Sequence, residues 1–141
     1  MRILVVDDHE IIRRGVCAII SLRPDLEVCG EASDGFEAII KALETNPDLA
    51  ILDVTMPKLD GISAAKQIKK LNPHILILIL SMHSGQEIVQ HIRQAGAEGF
   101  VNKSEVGDVL LTGVDSLLQG RTFFPNFDES GYESFDIQSA K

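Results

Sequence analysis

The chain has 141 residues, a formal net charge of −8 and a sequence pI near 4.9. This acidity argues against a bulk electrostatic attraction to nucleic acid or to an anionic membrane surface. Apolar residues make up 45% and charged residues 24% of the sequence, which is ordinary for one soluble globular domain with a sizeable core.

Five short aliphatic runs recur along the chain and are predicted to be β-strands. Runs this short and this apolar are typical of strands that are covered on both faces, as in a parallel sheet. Each run is followed by a longer segment with apolar residues at helical spacing. The runs lie at residues 3–6, 26–30, 49–52, 75–80 and 99–101.

Capping residues and prolines mark the ends of the predicted helices. Asp34 and Asp60 each precede a glycine and can cap a following helix. Asn46 and Asn72 each precede a proline, and the residue before proline avoids helical geometry. Strict β/α alternation predicts a doubly wound parallel sheet with helices on both faces. The active cleft of such a sheet lies beyond the carboxyl ends of its strands.

Polar side chains stand at the carboxyl ends of four predicted strands. Asp7 and Asp8 follow the first strand, and Asp53 follows the third. Ser81 follows the fourth strand, and Lys103 lies just past the fifth. Each residue alone could be a helix cap or a surface group. Because all of them fall on the same edge, the sequence predicts a site there.

The three acidic residues of this edge predict a bound cation or raised pKa values, because close carboxylates repel one another. Mg²⁺ prefers such hard oxygen ligands. With a metal bound, Asp53 can stay ionised and act as a nucleophile toward phosphorus. A phosphoryl group in transfer spreads charge over three oxygens, and the Lys103 ammonium and the Ser81 hydroxyl can each contact one of them.

Two longer stretches accompany these residues, LDVTMPKLDG at 52–61 and AGAEGFVNKS at 95–104. Together with Asp7, Asp8 and Ser81 they resemble the receiver domains of two-component response regulators, and most of all the NarL/FixJ-type subgroup. The resemblance covers residues 2 to about 120. It implies a flavodoxin-like, five-stranded parallel sheet of order 2-1-3-4-5.

The resemblance also implies a phosphorylation site with a metal. Asp53 would be the phosphoacceptor. Asp8 and Asp53 would bind Mg²⁺ directly, and the Thr55 backbone carbonyl would be a third ligand. Asp7 would hold the metal through water.

A conformational switch is implied as well. Ser81 and Phe100 match the switch pair of the family, and Lys103 matches its invariant lysine. Phe100 stands where tyrosine is frequent, so its ring can turn inward but cannot offer a hydroxyl to a partner. Asn102 replaces a residue that is usually apolar, and the sequence gives no reason for it.

The implied function is that of a response-regulator receiver. It would accept a phosphoryl group from a sensor histidine kinase on Asp53, with Mg²⁺, and then change shape. It would promote its own phosphorylation and dephosphorylation without being a dedicated enzyme. A phosphorylation-dependent homodimer across the fourth helix, fifth strand and fifth helix is a further hypothesis. Control of transcription would need a helix-turn-helix output domain.

Three other functions are weaker. A phosphatase of the haloacid-dehalogenase type uses a D-x-D pattern, but Thr55 occupies the place of the second acid, and turnover of phosphatase substrates would separate the two readings. A pseudo-receiver is disfavoured because every required side chain is present. A flavin carrier would need a loop rich in Ser, Thr and Gly after the first strand, which this sequence lacks.

No targeting segment or membrane span is evident, and a cytoplasmic location without membrane contact is expected. Cys17 and Cys29 lie in apolar segments and are predicted to be reduced core residues. The four histidines are interpreted as scattered, without metal-ligand spacing. His83 is expected to be an exposed loop residue, with shielding of an acyl phosphate as the alternative.

Residues 1–121 are predicted to form the receiver domain, and 122–141 an acidic, aromatic-containing tail or the start of an interdomain linker. No recognition helix fits in this acidic segment, so the chain alone is not expected to bind specific DNA. However, four of the six phenylalanines and the only tyrosine lie in it. Residues 123–127 are therefore predicted to pack on the domain or on a partner chain.

Overall fold

The apolar runs and helical segments form β/α units in the computed structural model, which describes the backbone of residues 1–127 and 133–139 and the side chains as far as Pro125. The first units are β1 (Arg2–Val6), α1 (Glu10–Ser21), β2 (Glu27–Ala32), α2 (Gly35–Thr45), β3 (Leu49–Asp53) and α3 (Gly61–Leu71). The chain continues with β4 (Leu76–Ser81), α4 (Gln86–Gln94), β5 (Gly99–Asn102), a 3₁₀ turn (Lys103–Glu105) and α5 (Val106–Leu118). Two more strands follow, β6 (Arg121–Phe127) and β7 (Glu133–Ser139).

Helix caps lie at the predicted positions at the ends of α2 and α3. Asp34 accepts a hydrogen bond from the Glu37 amide at 2.8 Å, which caps α2. Asp60 accepts one from the Ser63 amide at 2.8 Å, which caps α3. Asn46, just before a proline, ends α2 in the left-handed conformation with φ of 44°. Local polar side chains therefore set where α2 and α3 begin.

The described strands form one sheet of order β2-β1-β3-β4-β5-β6-β7. Neighbours from β2 to β6 pair in parallel, and β6 pairs with β7 antiparallel. Ile3 and Val5 of β1 face a core shared with α1 and α5, while Leu4 and Val6 face a core shared with α2, α3 and α4. Helices on both faces and the order 2-1-3-4-5 are thus as predicted.

The prediction of a five-stranded sheet is wrong, because β6 and β7 extend the sheet beyond β5. Thr122, Phe123 and Phe124 are β-branched or aromatic, and such residues favour a strand. The Phe123 amide donates a hydrogen bond to the Glu98 carbonyl at 2.9 Å, which joins β6 to the edge next to β5. The start of the supposed tail is therefore part of the sheet.

Two phenylalanines of β6 pack on opposite faces of the sheet. Phe123 is 3% exposed in the core with α5, and Phe124 is 2% exposed in the core with α4. The Arg93 guanidinium lies 4.1 Å from the centre of the Phe124 ring. Residues 123–127 were predicted to pack on the domain or on a partner chain, and the burial of Phe123 and Phe124 confirms packing on the domain for these two residues. The Tyr132 and Phe135 side chains lie outside the described residues.

Cys17 and Cys29 are free thiols of intermediate exposure, so they are less deeply buried than the core positions predicted for them. Burial raises the pKa of Cys17 to about 11, and the neighbouring Glu31 carboxylate adds to the rise. Among the described helices, none combines the length and apolar character needed to cross a membrane.

Truncation of a β6 phenylalanine should destabilise the whole domain. We expect Phe124→Ala to lower the free energy of unfolding by about 3 kcal/mol, the usual loss for a buried aromatic side chain. Arg121→Ala, at an exposed position of the same strand, should change it by less than about 0.5 kcal/mol. Urea denaturation measures both. Equal, small effects would show that β6 contributes nothing to the core.

Candidate functional site

A buried lysine lies between two buried carboxylates at the carboxyl edge of the sheet. Asp7 is fully buried after β1, and Asp53, at the end of β3, is 2% exposed. The Lys103 ammonium, just past β5, lies 2.9 Å from Asp7 Oδ2 and 3.0 Å from Asp53 Oδ2. The lysine side chain itself is only 5% exposed. Three predicted site residues from three strand ends are therefore in direct contact.

Close backbone packing fixes the Asp53 end of this arrangement. Gly61 begins α3 against the end of β3, and a Cβ on it would overlap the Asp53 carbonyl oxygen. The Gly61 amide also donates to the Val54 carbonyl at 2.8 Å. A glycine is thus required where the helix meets the strand, and this close approach holds the loop after Asp53.

Asn102 has a structural role that could not be recognised from the sequence alone. Its side-chain oxygen accepts hydrogen bonds from the Ser104 amide at 2.9 Å and the Ser104 hydroxyl at 2.8 Å. These bonds cap the 3₁₀ turn that carries Lys103. An apolar residue could not make them, so Asn102 fixes the backbone from which the lysine reaches the carboxylates.

Burial and mutual repulsion shape the charges of the site. Burial raises the pKa of Asp53, and the nearby Asp7 carboxylate raises it further, against the lowering effect of Lys103. Burial alone would lower the pKa of Lys103, but its ion pairs with Asp7 and Asp53 outweigh that effect, so this pKa is raised. One ammonium therefore faces two carboxylates, and its single positive charge does not balance the negative charges of both.

The acidic cluster has the composition of a divalent cation site. Asp7 Oδ2 and Asp53 Oδ2 are buried and accept no well-formed hydrogen bond, so only the Lys103 ammonium offsets their burial. Ligand atoms of Asp7, Asp8, His9 and Asp53 all lie within 4.8 Å of one another. Excess negative charge on hard oxygen atoms fits a cation such as Mg²⁺ or Mn²⁺.

His9 belongs to this cluster, contrary to the interpretation that the histidines are unrelated to a metal site. Its amide donates to Asp7 Oδ1 at 2.9 Å. Its ring Nδ1 lies 3.2 Å from Asp7 Oδ1 and 3.1 Å from Asp8 Oδ1. The signal in the sequence was direct adjacency to the two acids rather than a spacing between histidines.

Arg13 is a second contact that the sequence analysis missed. Its guanidinium donates to the Asp7 carbonyl at 2.8 Å and to Glu31 Oε1 at 3.0 Å. The side chain is 19% exposed. It ties the loop that carries the acids to the end of β2. The contact depends on the close approach of α1 to β2, which no local motif indicates.

Ser81 and Phe100 lie on neighbouring strands. Ser81 ends β4, is 1% exposed, and its hydroxyl oxygen accepts a hydrogen bond from the His83 amide at 3.0 Å. Phe100 is fully buried in β5, opposite Ile79 and two residues before the position that faces Ser81. The phenyl ring is thus inward, while His83 is exposed as expected.

Thr55 lies in the loop after β3. Its amide hydrogen-bonds to the Asp53 carboxylate and lowers the pKa of that group against the effect of burial. The residue is exposed. Its carbonyl as a metal ligand stays a prediction.

Comparisons with known proteins identify relatives over most of the chain. The family model for the response regulator receiver domain matches residues 3–115. The oxygen regulatory protein NreC of Staphylococcus epidermidis is 37% identical over 124 residues, which are 87% of this chain and 57% of that protein. The chain therefore spans little more than half the length of this curated relative.

Solved structures agree with this match. A two-component response regulator of the LuxR family from Aurantimonas sp. SI85-9A1 superposes with a TM-score of 0.83 at 38% identity, covering 86% of each chain. The signal receiver domain of the response regulator NarL from Mycobacterium tuberculosis superposes with a TM-score of 0.81 at 34% identity, over 85% of this chain and 97% of that one.

Removal of the Lys103 ammonium should destabilise the domain and strengthen cation binding. Lys103→Met leaves two buried carboxylates without a counterion, and we expect a loss of about 3 kcal/mol in the free energy of unfolding in EDTA. The same loss of positive charge should raise Mg²⁺ affinity, so saturating Mg²⁺ should stabilise the variant more than the wild type.

Thermal unfolding across a Mg²⁺ titration measures both effects. Lys66→Ala, which removes an exposed lysine from α3, is the matched control and should behave like the wild type. A Lys103→Met variant that is as stable as the wild type in EDTA would contradict the ion-pair assignment.

Proposed function

This chain belongs to the response regulator receiver domain family, and from that membership we propose that Asp53 is its phosphoacceptor and that Lys103 and Ser81 assist the transfer. The relatives from the NarL and LuxR groups confirm the predicted subgroup. The observation that carries the proposal is the buried Lys103 ammonium in contact with both Asp7 and Asp53.

The proposed reaction is transfer of a phosphoryl group from a phosphohistidine of a sensor histidine kinase. An Asp53 carboxylate oxygen supplies the electron pair for the new O–P bond. The N–P bond breaks, and its electron pair returns to the histidine ring, which then takes a proton from solvent. The product is an acyl phosphate on Asp53. Charge on the phosphoryl oxygens needs positioned cations and donors.

The residues present fit a Mg²⁺ ion beside Asp53. Asp8 and Asp53 would be direct ligands with the Thr55 carbonyl, and Asp7 would hold the ion through water. The bound ion would neutralise carboxylate and phosphoryl charge. His9, within reach of both Asp7 and Asp8, would orient these carboxylates.

Lys103 and Ser81 would contact the phosphoryl group from the other strands. The Lys103 ammonium is already held at 3.0 Å from Asp53, so it can follow a phosphoryl oxygen without a large movement. The Ser81 hydroxyl is free to donate, since its oxygen only accepts a bond from the His83 amide in the described structure. A new bond to phosphate would draw the β4–α4 loop inward.

This loop movement is the proposed switch. It would open space toward which the fully buried Phe100 ring could turn, and the face formed by α4, β5 and α5 would change. A phosphorylation-dependent homodimer across this face is the proposed consequence. Because β6 covers the edge of β5, the helices would carry the contact.

The proposed role in the cell is the control of transcription. A LuxR-family or NarL-type regulator would control transcription through a DNA-binding output domain, to which residues 122–141 would lead. The protein would be cytoplasmic. A phosphatase of the haloacid-dehalogenase type stays disfavoured, because exposed Thr55 offers no general acid two residues after Asp53.

Phosphorylation should require Asp53 and Mg²⁺ together. We expect wild type incubated with radiolabelled acetyl phosphate and Mg²⁺ to carry a hydroxylamine-labile label, and Asp53→Asn to carry none, because the amide keeps the shape but lacks the nucleophilic oxygen. EDTA should abolish labelling of the wild type. Asp108→Asn, at an exposed acid of α5, is the control and should label normally. Equal labelling of the Asp53 variant would refute the phosphoacceptor assignment.

Ser81→Ala should separate phosphorylation from its consequence. We expect the variant to accept phosphate but to assemble about 5- to 30-fold more weakly with beryllofluoride, since one positioned hydroxyl contact contributes about 1–2 kcal/mol. Sedimentation velocity with and without beryllofluoride measures this coupling. If the wild type shows no change in mass, the phosphorylation-driven dimer is excluded.

A further inference from the structure

His9 stands at the N-cap of α1, where a short polar side chain usually accepts a hydrogen bond from the first helical turn. The His9 side chain makes no such capping bond. Its ring Nδ1 lies instead 3.2 Å from Asp7 Oδ1 and 3.1 Å from Asp8 Oδ1. The imidazole is therefore placed toward the acidic cluster and does not serve the helix.

The backbone of His9 is fixed on both sides. Its amide donates to Asp7 Oδ1 at 2.9 Å, and its carbonyl accepts from the Arg13 amide at 2.9 Å in the first turn of α1. The Arg13 guanidinium in turn donates to the Asp7 carbonyl at 2.8 Å. These bonds hold the segment from Asp7 to His9 in one conformation. A nitrogen donor atom is thus held beside the carboxylates before any ligand binds, which lowers the entropic cost of binding.

The spacing of the donor atoms suits a common ion. In an octahedral site with ligands about 2.1 Å from the ion, neighbouring ligand atoms lie about 3 Å apart and opposite ones about 4.2 Å apart. His9 Nδ1 and Asp8 Oδ1 are 3.1 Å apart, which matches two neighbouring ligands. The ligand atoms of Asp7, Asp8, His9 and Asp53 all lie within 4.8 Å of one another. Small movements would bring them around one ion.

The four side chains divide into a buried pair and an exposed pair. Asp7 and Asp53 are buried, whereas Asp8 and His9 are exposed. An ion can therefore enter from the side of Asp8 and His9 and meet the buried charge behind them. Asp7 Oδ1 already accepts the His9 amide, and Asp7 Oδ2 faces the Lys103 ammonium. These contacts favour a role for Asp7 through water and leave Asp8, His9 and Asp53 to bind the ion directly.

We propose that His9 Nδ1 is a direct ligand of the divalent cation at Asp53, beside Asp8, and that this nitrogen raises the affinity for transition metals such as Mn²⁺ and Co²⁺ far more than that for Mg²⁺. The ring would be neutral, with its proton on Nε2. Imidazole nitrogen suits transition metals, whereas Mg²⁺ prefers oxygen and can keep a water in that place. The inference rests on the proposed cation site and adds a ligand and a metal preference to it.

Pulsed electron paramagnetic resonance of the full chain with one equivalent of Mn²⁺ tests the ligand directly. We expect the wild type to show the ¹⁴N modulation of a coordinated imidazole, and His9→Ala to lack it. Labelling of histidine with ¹⁵N should replace this modulation by the ¹⁵N signal, which assigns it to a histidine. His74→Ala removes an exposed histidine before β4, at the opposite edge of the sheet, and should keep the modulation.

Calorimetric titrations with Co²⁺ and with Mg²⁺ test the metal preference. His9→Ala should weaken Co²⁺ binding at least about tenfold, because a bound nitrogen is lost. Mg²⁺ binding should weaken far less, because water can replace the nitrogen. His9→Gln offers an amide oxygen in place of the ring nitrogen and should not restore Co²⁺ affinity. His74→Ala should bind both metals like the wild type.

The possible failures can be told apart. Mn²⁺ that binds the wild type without ¹⁴N modulation, or with equal modulation in His9→Ala, would overturn the inference and leave the proposed oxygen-ligated site standing. Equal loss of Co²⁺ and Mg²⁺ affinity in His9→Ala would limit His9 to orienting the carboxylates and would also overturn it. A wild type that binds neither Mg²⁺ nor Mn²⁺ would overturn the proposed cation site itself. Circular dichroism melts verify that each variant is folded.

Discussion

The contact of one buried ammonium with two buried carboxylates is the interaction on which the rest of the site depends. Lys103 joins the ends of β1, β3 and β5 through Asp7 and Asp53. Buried charges destabilise a fold unless they are paired, so the ion pairs of Lys103 with Asp7 and Asp53 hold these three strand ends together. One positive charge for two negative charges still leaves the edge negative. The fold therefore maintains a negative edge with the composition of a cation site.

Much of this edge could be predicted because it follows from parallel topology. Asp7, Asp53, Ser81 and Lys103 each follow an apolar run, and parallel strands end on the same side. The starts of α2 and α3 could be predicted equally well, because Asp34 and Asp60 cap these helices through hydrogen bonds from amides three residues further along the chain. The order of the strands came from the family resemblance and not from the spacing.

The features of the site that the sequence did not indicate depend on contacts between segments that are distant in the chain, or on the local conformation of the backbone. Arg13 contacts both the Asp7 carbonyl and the Glu31 carboxylate of β2, which lie far apart in the chain, and Asn102 acts through a turn whose geometry no motif specifies. The strand β6 was missed for a different reason. Its proline and acidic neighbours are typical of a linker, whereas in the structure its phenylalanines pack in two separate cores and its backbone pairs with β5 and β7.

The strand β6 in turn constrains how a change at Asp53 could reach the surface. It pairs with β5 in parallel, with Gly99 opposite Phe123. Burial of Phe123 in the core with α5 and of Phe124 in the core with α4 attaches this strand to both faces of the sheet. Phe124 shares its core with Phe100, and therefore a movement of the Phe100 ring would alter the support of β6. Because β6 occupies the edge of β5, such a change would be expressed in the positions of α4 and α5 and not as a free strand edge.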